Sequence, residues 1–303
     1  MDVSILGQVL AATSALAFSF ANVFISKTSV SRGDKGVLFS VVVTLCFSFA
    51  LWLLLEGAER ETWRFDGAEL TGLGLFAAAG VTVMVFGRNL LFASVRRLGV
   101  SRATSVKRLN PIFSVILAVV ILGEPLWVSD VIGIVLIAVA FGLLILESYR
   151  SGKLSGAAPP LASYSFGILA ALAYASTYIL RKLGLMSLPE PALGTFVSAA
   201  SGLLALAAFG AFSRAYRDKL LNMFAYLDRW IILSAIAVSI GQILLFAALA
   251  FEKVSTVAVI ASLEIFVSIF LSVVIFRTES RISLLVALSA VLAFGGAIFL
   301  ASS

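Results

Sequence analysis

Histidine is absent from the 303 residues of this chain, cysteine occurs once, as Cys46, and proline only six times. No imidazole is present to ligate zinc, hold haem or act as the base of a Ser-His-Asp or Cys-His pair, and a lone thiol builds no disulfide framework. A conventional hydrolase or metalloenzyme is therefore not expected, and the sequence calls for no cofactor. Charge is scarce as well: 13% of residues are Asp, Glu, Lys or Arg, against roughly 25% in an ordinary soluble domain. No G-x-x-x-x-G-K-[ST] motif occurs, which argues against direct ATP drive. The net charge of +6 comes from short basic clusters set between apolar runs, with no long basic stripe, so a nucleic-acid partner is not expected. Met1-Asp2-Val3-Ser4 carries no basic stretch ahead of the first apolar run, which predicts a retained span rather than a cleaved signal.

Apolar residues make up 61% of the chain. A bilayer core of about 30 Å takes roughly 20 apolar residues per helix. Charged and Pro/Gly punctuation divides the sequence into ten such runs, at 5–26, 37–55, 70–94, 101–122, 127–146, 164–181, 192–212, 231–251, 255–276 and 282–300. They are continuous and lack two-residue alternation, so they predict helices and not barrel strands. The links, the longest at 56–69, 147–163 and 213–230, leave no room for a soluble domain. With Arg102 and Arg181, at the edges of their runs, counted to the adjoining links, the links from odd to even runs hold 14 Lys and Arg and those from even to odd runs hold 5; Arg88, Lys107 and Arg108 lie deeper inside runs. The positive-inside rule then puts the odd-to-even links in the cytoplasm and both termini outside.

Shifting the chain against itself by 154 residues lays Gly87-Arg88-Asn89-Leu90-Leu91-Phe92-Ala93 over Gly241-Gln242-Ile243-Leu244-Leu245-Phe246-Ala247. The same shift aligns Val100-Ser101 with Val254-Ser255, Leu109 with Leu263, Ser114 with Ser268, and Val119-Val120-Ile121 with Val273-Val274-Ile275. Five runs per half is an odd number, so the second copy enters the membrane in the opposite sense. The expected architecture is an all-α membrane protein of ten transmembrane helices in two inverted five-helix repeats. The expected divisions are 1–150, a linker at 151–163, and 164–303. Inverted repeats of this kind point to a secondary transporter with its site at the repeat interface near the midplane.

Leu109-Asn110-Pro111-Ile112-Phe113-Ser114, followed by Ile121-Leu122-Gly123-Glu124-Pro125, resembles the fourth-helix signature of the drug/metabolite transporter superfamily, EamA-like branch. A degenerate partner is Leu263-Glu264-Ile265-Phe266 with Phe276-Arg277-Thr278-Glu279, where Ile265 replaces the proline and Arg277-Thr278 replaces Gly-Glu. The resemblance implies a multi-pass carrier with a central cavity for a small-molecule substrate, in the lipid bilayer of the bacterial inner membrane, coupled to protons or a counter-substrate. Lys107-Arg108 is also similar to the Lys-Arg pair with which phosphate translocators of that superfamily grip phosphate, carried over here by repeat symmetry.

A charge at the bilayer centre costs about 2.5–3.5 kcal/mol on insertion scales, so ions within spans face the bundle interior. The candidates are Arg88, Lys107, Arg108 and Glu264, whose repeat partners are Gln242, Ala261, Ser262 and Asn110. Pro111 lacks an N–H and its ring crowds the Lys107 carbonyl, which predicts a kink with Lys107, Asn110, Pro111 and Ser114 on one face. Arg108 lies about 100° round the helix, at the cavity edge or snorkelling to the interface. Lys107, Arg88 and Arg108 would bind a carboxylate, phosphate or phosphonate, unless one of them pairs permanently with Glu264. Tyr174 and Tyr178 share a face of the sixth run, Ser14, Phe18 and Asn22 one of the first, and Gln242 joins them as a polar contact or a packing group. Glu124 and Glu279, at run ends, suit structural or gating contacts. Ala77-Ala78-Ala79-Gly80 and Gly295-Gly296-Ala297 predict close helix approach. The function expected is export or exchange of a small polar, anionic metabolite. Amino acid export is the alternative within that class, and lipid-phosphate handling or a scaffold the alternatives outside it.

Overall fold

The computed structural model describes residues 3–28, 36–59, 65–150, 160–225, 227–276 and 283–301, and their regular structure is all helical. The first half comprises α1 (Val3–Lys27), α2 (Val37–Leu54), α3 (Gly67–Val81), α4 (Arg88–Leu98), α5 (Val100–Lys107), α6 (Asn110–Leu122) and α7 (Val128–Arg150). A wide π-helical segment, Thr82–Gly87, joins α3 to α4, making one crossing of 32 residues, Gly67–Leu98. The second half comprises α8 (Tyr164–Ser187), α9 (Pro191–Phe212), the short α10 (Arg214–Leu221), α11 (Arg229–Phe251), α12 (Val254–Ser262), α13 (Glu264–Phe270) and α14 (Leu284–Ala301). Among the described residues nine helices are long and apolar enough to cross a bilayer, and the shorter Leu284–Phe299 supplies the tenth.

Local signals explain several boundaries. Asp66 and Glu69 form a reciprocal capping box at the start of α3, and Asp228 accepts from the Ile231 amide at the start of α11. Gly123 closes α6 in the left-handed region, at φ +66°, where a side chain would be strained. The chain can therefore turn at once and carry Glu124 away from its own helix.

Helix pairing follows the repeat. α1 lies on α11 as α8 lies on α3 and α4, α2 contacts α11 as α9 contacts α3, and α6 packs on α8 as α12 and α13 pack on α1. α2 meets α9 and α7 meets α14, each helix pairing with its own counterpart. The molecule is an all-α membrane protein of two inverted five-helix repeats. α1 begins and α14 ends on one face, here the terminus face; the opposite, basic face carries Lys27, Arg96, Arg97, Arg102, Arg214, Arg217 and Arg229 at helix ends.

With no hydrophobic drive between helices inside lipid, small residues and hydroxyls hold the pairs together. Ser14 donates to the Gly241 carbonyl and Ser234 to that of Ala21, joining α1 to α11. Ser198 and Ser201 of α9 donate to the Phe76 and Ala77 carbonyls of α3. At that crossing a Cβ on Gly80 would fall 2.0 Å from the Ser198 carbonyl oxygen, whereas one on Gly74 would meet nothing within 4 Å. Gly80→Ala is therefore expected to force α3 and α9 apart and cost about 1–3 kcal/mol, as overpacking does. Gly74→Ala should leave thermal unfolding of the purified protein unchanged. Gly296 makes the corresponding close approach to α7, against the Gly133 carbonyl.

Candidate functional site

The fourth and ninth crossings are both broken near their middles. The Arg108 and Leu109 amides reach back only three residues, to the Ser105 and Val106 carbonyls at 3.2 and 3.0 Å. α6 then opens on Asn110 with Pro111 in its first turn, where a missing N–H costs nothing. The kink predicted at Pro111 is thus a full interruption. Its counterpart is the interruption at Leu263, whose amide reaches the Ile260 carbonyl at 3.1 Å, before α13 opens on Glu264. Ile265 stands where the first half has its proline, so the second break has no local proline cause. Ser19 of α1 donates to the Glu264 carbonyl at 2.9 Å, a contact from outside the segment.

A cavity of about 280 Å³ lies between the two breaks. Asn22, Lys107, Arg108, Asn110, Tyr178 and Glu264, six of nine candidate substrate contacts of which Arg88, Tyr174 and Gln242 are the others, line it together with Phe18, Thr104, Pro111 and Phe141. The Lys107 ammonium rests over the Tyr174 ring, 4.8 Å from its centroid. Its charge acts on the Glu264 carboxylate, yet no ion pair joins the two among the described residues. Arg108 Nη1 has no hydrogen-bond partner among the described residues. Asn22 Nδ2 donates to Ser268 Oγ at 3.3 Å.

The other three candidates are placed differently. Arg88 is buried in α4, its guanidinium 5.4 Å from the Phe92 ring centroid, and it does not line this cavity. Tyr174 sits behind Lys107, with Gly87 close against its ring. Gln242 lines a second cavity, of about 200 Å³, with Arg181. Ser114, grouped with Lys107 by helical spacing, turns its hydroxyl back to the Asn110 carbonyl at 2.9 Å.

Two cations were missed by the sequence reading. α8 runs on to Ser187, so Arg181 and Lys182, counted above with the following link, lie inside a span. Removing them from that link sharpens the Lys/Arg asymmetry. Lys182 Nζ donates to the Leu249 and Glu252 carbonyls at 2.8 and 3.0 Å, capping the C-terminus of α11 with a positive charge. The signal was present in an apolar run that resumes as Leu183-Gly184-Leu185-Met186 beyond the two charges.

On the terminus face carboxylates reach from one half to helix ends of the other. Glu124 accepts from the Val254 and Ser255 amides at 2.6 and 3.1 Å and from the Ser255 hydroxyl at 2.7 Å, capping α12. Glu56 accepts from the Ala192 and Leu193 amides at 2.8 and 3.1 Å, capping α9. Burial pushes the Glu56 carboxyl above its ordinary range; the two amide donors oppose this and the Glu190 charge adds to it. Trp52 donates to Glu190, and Glu252 accepts from Ser4 and Gln8. Glu279, Arg277 and Thr278 lie outside the described residues.

The geometry is that of a helical membrane bundle with charged residues lining a cavity, and comparisons with known proteins agree with the bundle. Among curated proteins none matches the chain. A solved structure described as "Crystal structure of protein" is 17% identical, with a TM-score of 0.69, covering 97% of this chain and 95% of that one, which shows a shared fold. The EamA-like transporter family matches residues 5–146 and again residues 161–302, once per repeat. This multi-pass membrane protein belongs to the EamA-like transporter family.

Proposed function

We propose that the chain is a secondary transporter that moves a small anionic metabolite, bearing a carboxylate, phosphate or phosphonate, by alternating access as an exporter or exchanger in a bacterial inner membrane. The observation that carries this reading is the adjacent pair Lys107 and Arg108 at a helix break, lining one cavity with a single carboxylate, Glu264. Two cations against one carboxylate leave an excess of positive charge that a substrate anion neutralises. Arginine supplies bidentate geometry and lysine a movable point charge. Asn110 and Asn22 offer amide donors, and Tyr178 a hydroxyl. Arg88, beside the Gly87 that packs on Tyr174, adds positive potential, and Gln242 lies outside this substrate site.

The cavity lining reaches Thr104 and Asn22, near the basic-face ends of α5 and α1, while carboxylate caps join the halves on the terminus face. This supports access from the basic face. Rocking of the halves would release the caps and admit the opposite side, driven by protons or a counter-substrate.

The test is thermal stabilisation of the purified protein by two panels, phosphorylated or phosphonate metabolites and zwitterionic amino acids, in wild type and Lys107→Ala, followed by flux in liposomes. Stabilisation by an anion that disappears in Lys107→Ala is the expected result. Stabilisation by amino acids that survives the substitution would overturn the anion reading and assign the site to Glu264 and the tyrosines.

A further inference from the structure

The second cavity lies among α2, α8, α9, α11 and the π segment of the third crossing, and its lining shares no residue with that of the first. Arg181 lines it and is only 6% exposed. Its guanidinium stands over the Phe246 ring, 4.5 Å from the centroid, and its Nε has no hydrogen-bond partner among the described residues. No acidic residue is among those lining the cavity. A cation buried in this way is costly unless something neutralises it.

The remaining lining defines what that could be. Thr44, Thr195 and Ser198 spend their hydroxyl protons on the carbonyls of Ser40, Pro191 and Phe76. The donors left for a ligand are the edge of Arg181 and the amide of Gln242. One guanidinium balances one negative charge, and its planar fork matches a carboxylate. A dianion would retain uncompensated charge against the apolar remainder of the wall, which includes Val41, Val83, Met84 and Val238. That wall suits a hydrocarbon body instead. The volume of about 200 Å³ corresponds to roughly six or seven water volumes, the size of a short branched acid. Tyr178, one turn before Arg181 on the same face of α8, lines the first cavity, so the two sites adjoin along that helix.

We propose that the Arg181 cavity is a second binding site, for a monocarboxylate with a small apolar body, separate from the Lys107 cavity. The probe is 3-methylbutanoate, with its neutral amide and inorganic phosphate as controls, read by thermal stabilisation of the full chain. Saturable stabilisation by the acid alone is expected, weakened about tenfold or more by Arg181→Gln. Val238→Phe fills the cavity while leaving the arginine and should abolish the response. Lys107→Ala should leave it intact. A response lost in Lys107→Ala but retained in Arg181→Gln would overturn the proposal by moving the acid to the first cavity. Stabilisation by the amide as well, or none by the acid at any soluble concentration, would also overturn it.

Discussion

Replacing Glu124 by alanine is expected to destabilise the protein by about 2–3 kcal/mol, the cost of removing hydrogen bonds to a charged acceptor and leaving their donors without it. The side chain accepts three hydrogen bonds from the first turn of α12. Those amides are the unsatisfied donors of a helix N-terminus, whose partial positive charge further favours a carboxylate. Because acceptor and donors belong to different halves, the loss falls on the closed arrangement of the terminus face. A bias of that size shifts a two-state equilibrium by roughly 30- to 150-fold. It can be read by placing the only thiol at position 258, in the lining beyond α12's first turn, with Ala258→Cys in a Cys46→Ala background. Labelling from the terminus side should rise when Glu124→Ala is added, and Glu124→Gln should fall between. A drop in stability with unchanged labelling would make the contact a plain structural cap.

Lys107→Ala is expected to weaken binding of the transported anion on the order of 100-fold, within the range for truncating one member of a buried charge pair. The substitution should also lower the stability of the ligand-free protein, because Lys107 is the cation acting on Glu264. Adding Glu264→Gln should restore that stability without restoring anion binding. This separates recognition from charge balance. Lys107→Arg should retain part of the affinity, since the charge survives while its seat on the Tyr174 ring changes. Saturation of anion flux into liposomes supplies the measurement for all three variants. Recovery of anion affinity in the double variant would show that Lys107 serves only to balance Glu264.

The sequence made the spans legible because continuous apolar runs need no knowledge of partners. The first helix break was legible too, through Pro111. Its counterpart at Leu263 was hidden, since Ile265 is an ordinary apolar residue and the observed contact, from Ser19, comes across a helix interface. Facing was harder to read than position. Helices apolar around their whole circumference give no amphipathic stripe to show which side meets lipid, so Arg88 and Gln242, equivalent under the repeat, could not be resolved into a buried helix contact and a second-cavity residue. Arg181 was hidden differently: two adjacent charges resembled the end of a span when they interrupted its interior. The six residues that did converge are polar groups close to the two breaks or on helices packed against them, the places where repeat symmetry adds information that periodicity cannot.

The third crossing, Gly67–Leu98, is longer than the hydrocarbon layer it spans. A helix of 32 residues rises about 48 Å, far more than a hydrocarbon layer of about 30 Å. Tilt alone would have to reach about 50°, beyond the range of roughly 0–40° found for membrane helices. Part of its length must therefore stand outside the lipid tails, and its last turn carries Arg96 and Arg97. Those guanidinium groups belong at phosphate height, where they resist a vertical shift of the helix in either direction. The crossing thereby sets how deep the whole bundle sits, and bilayers of different thickness should alter its tilt before they alter its depth.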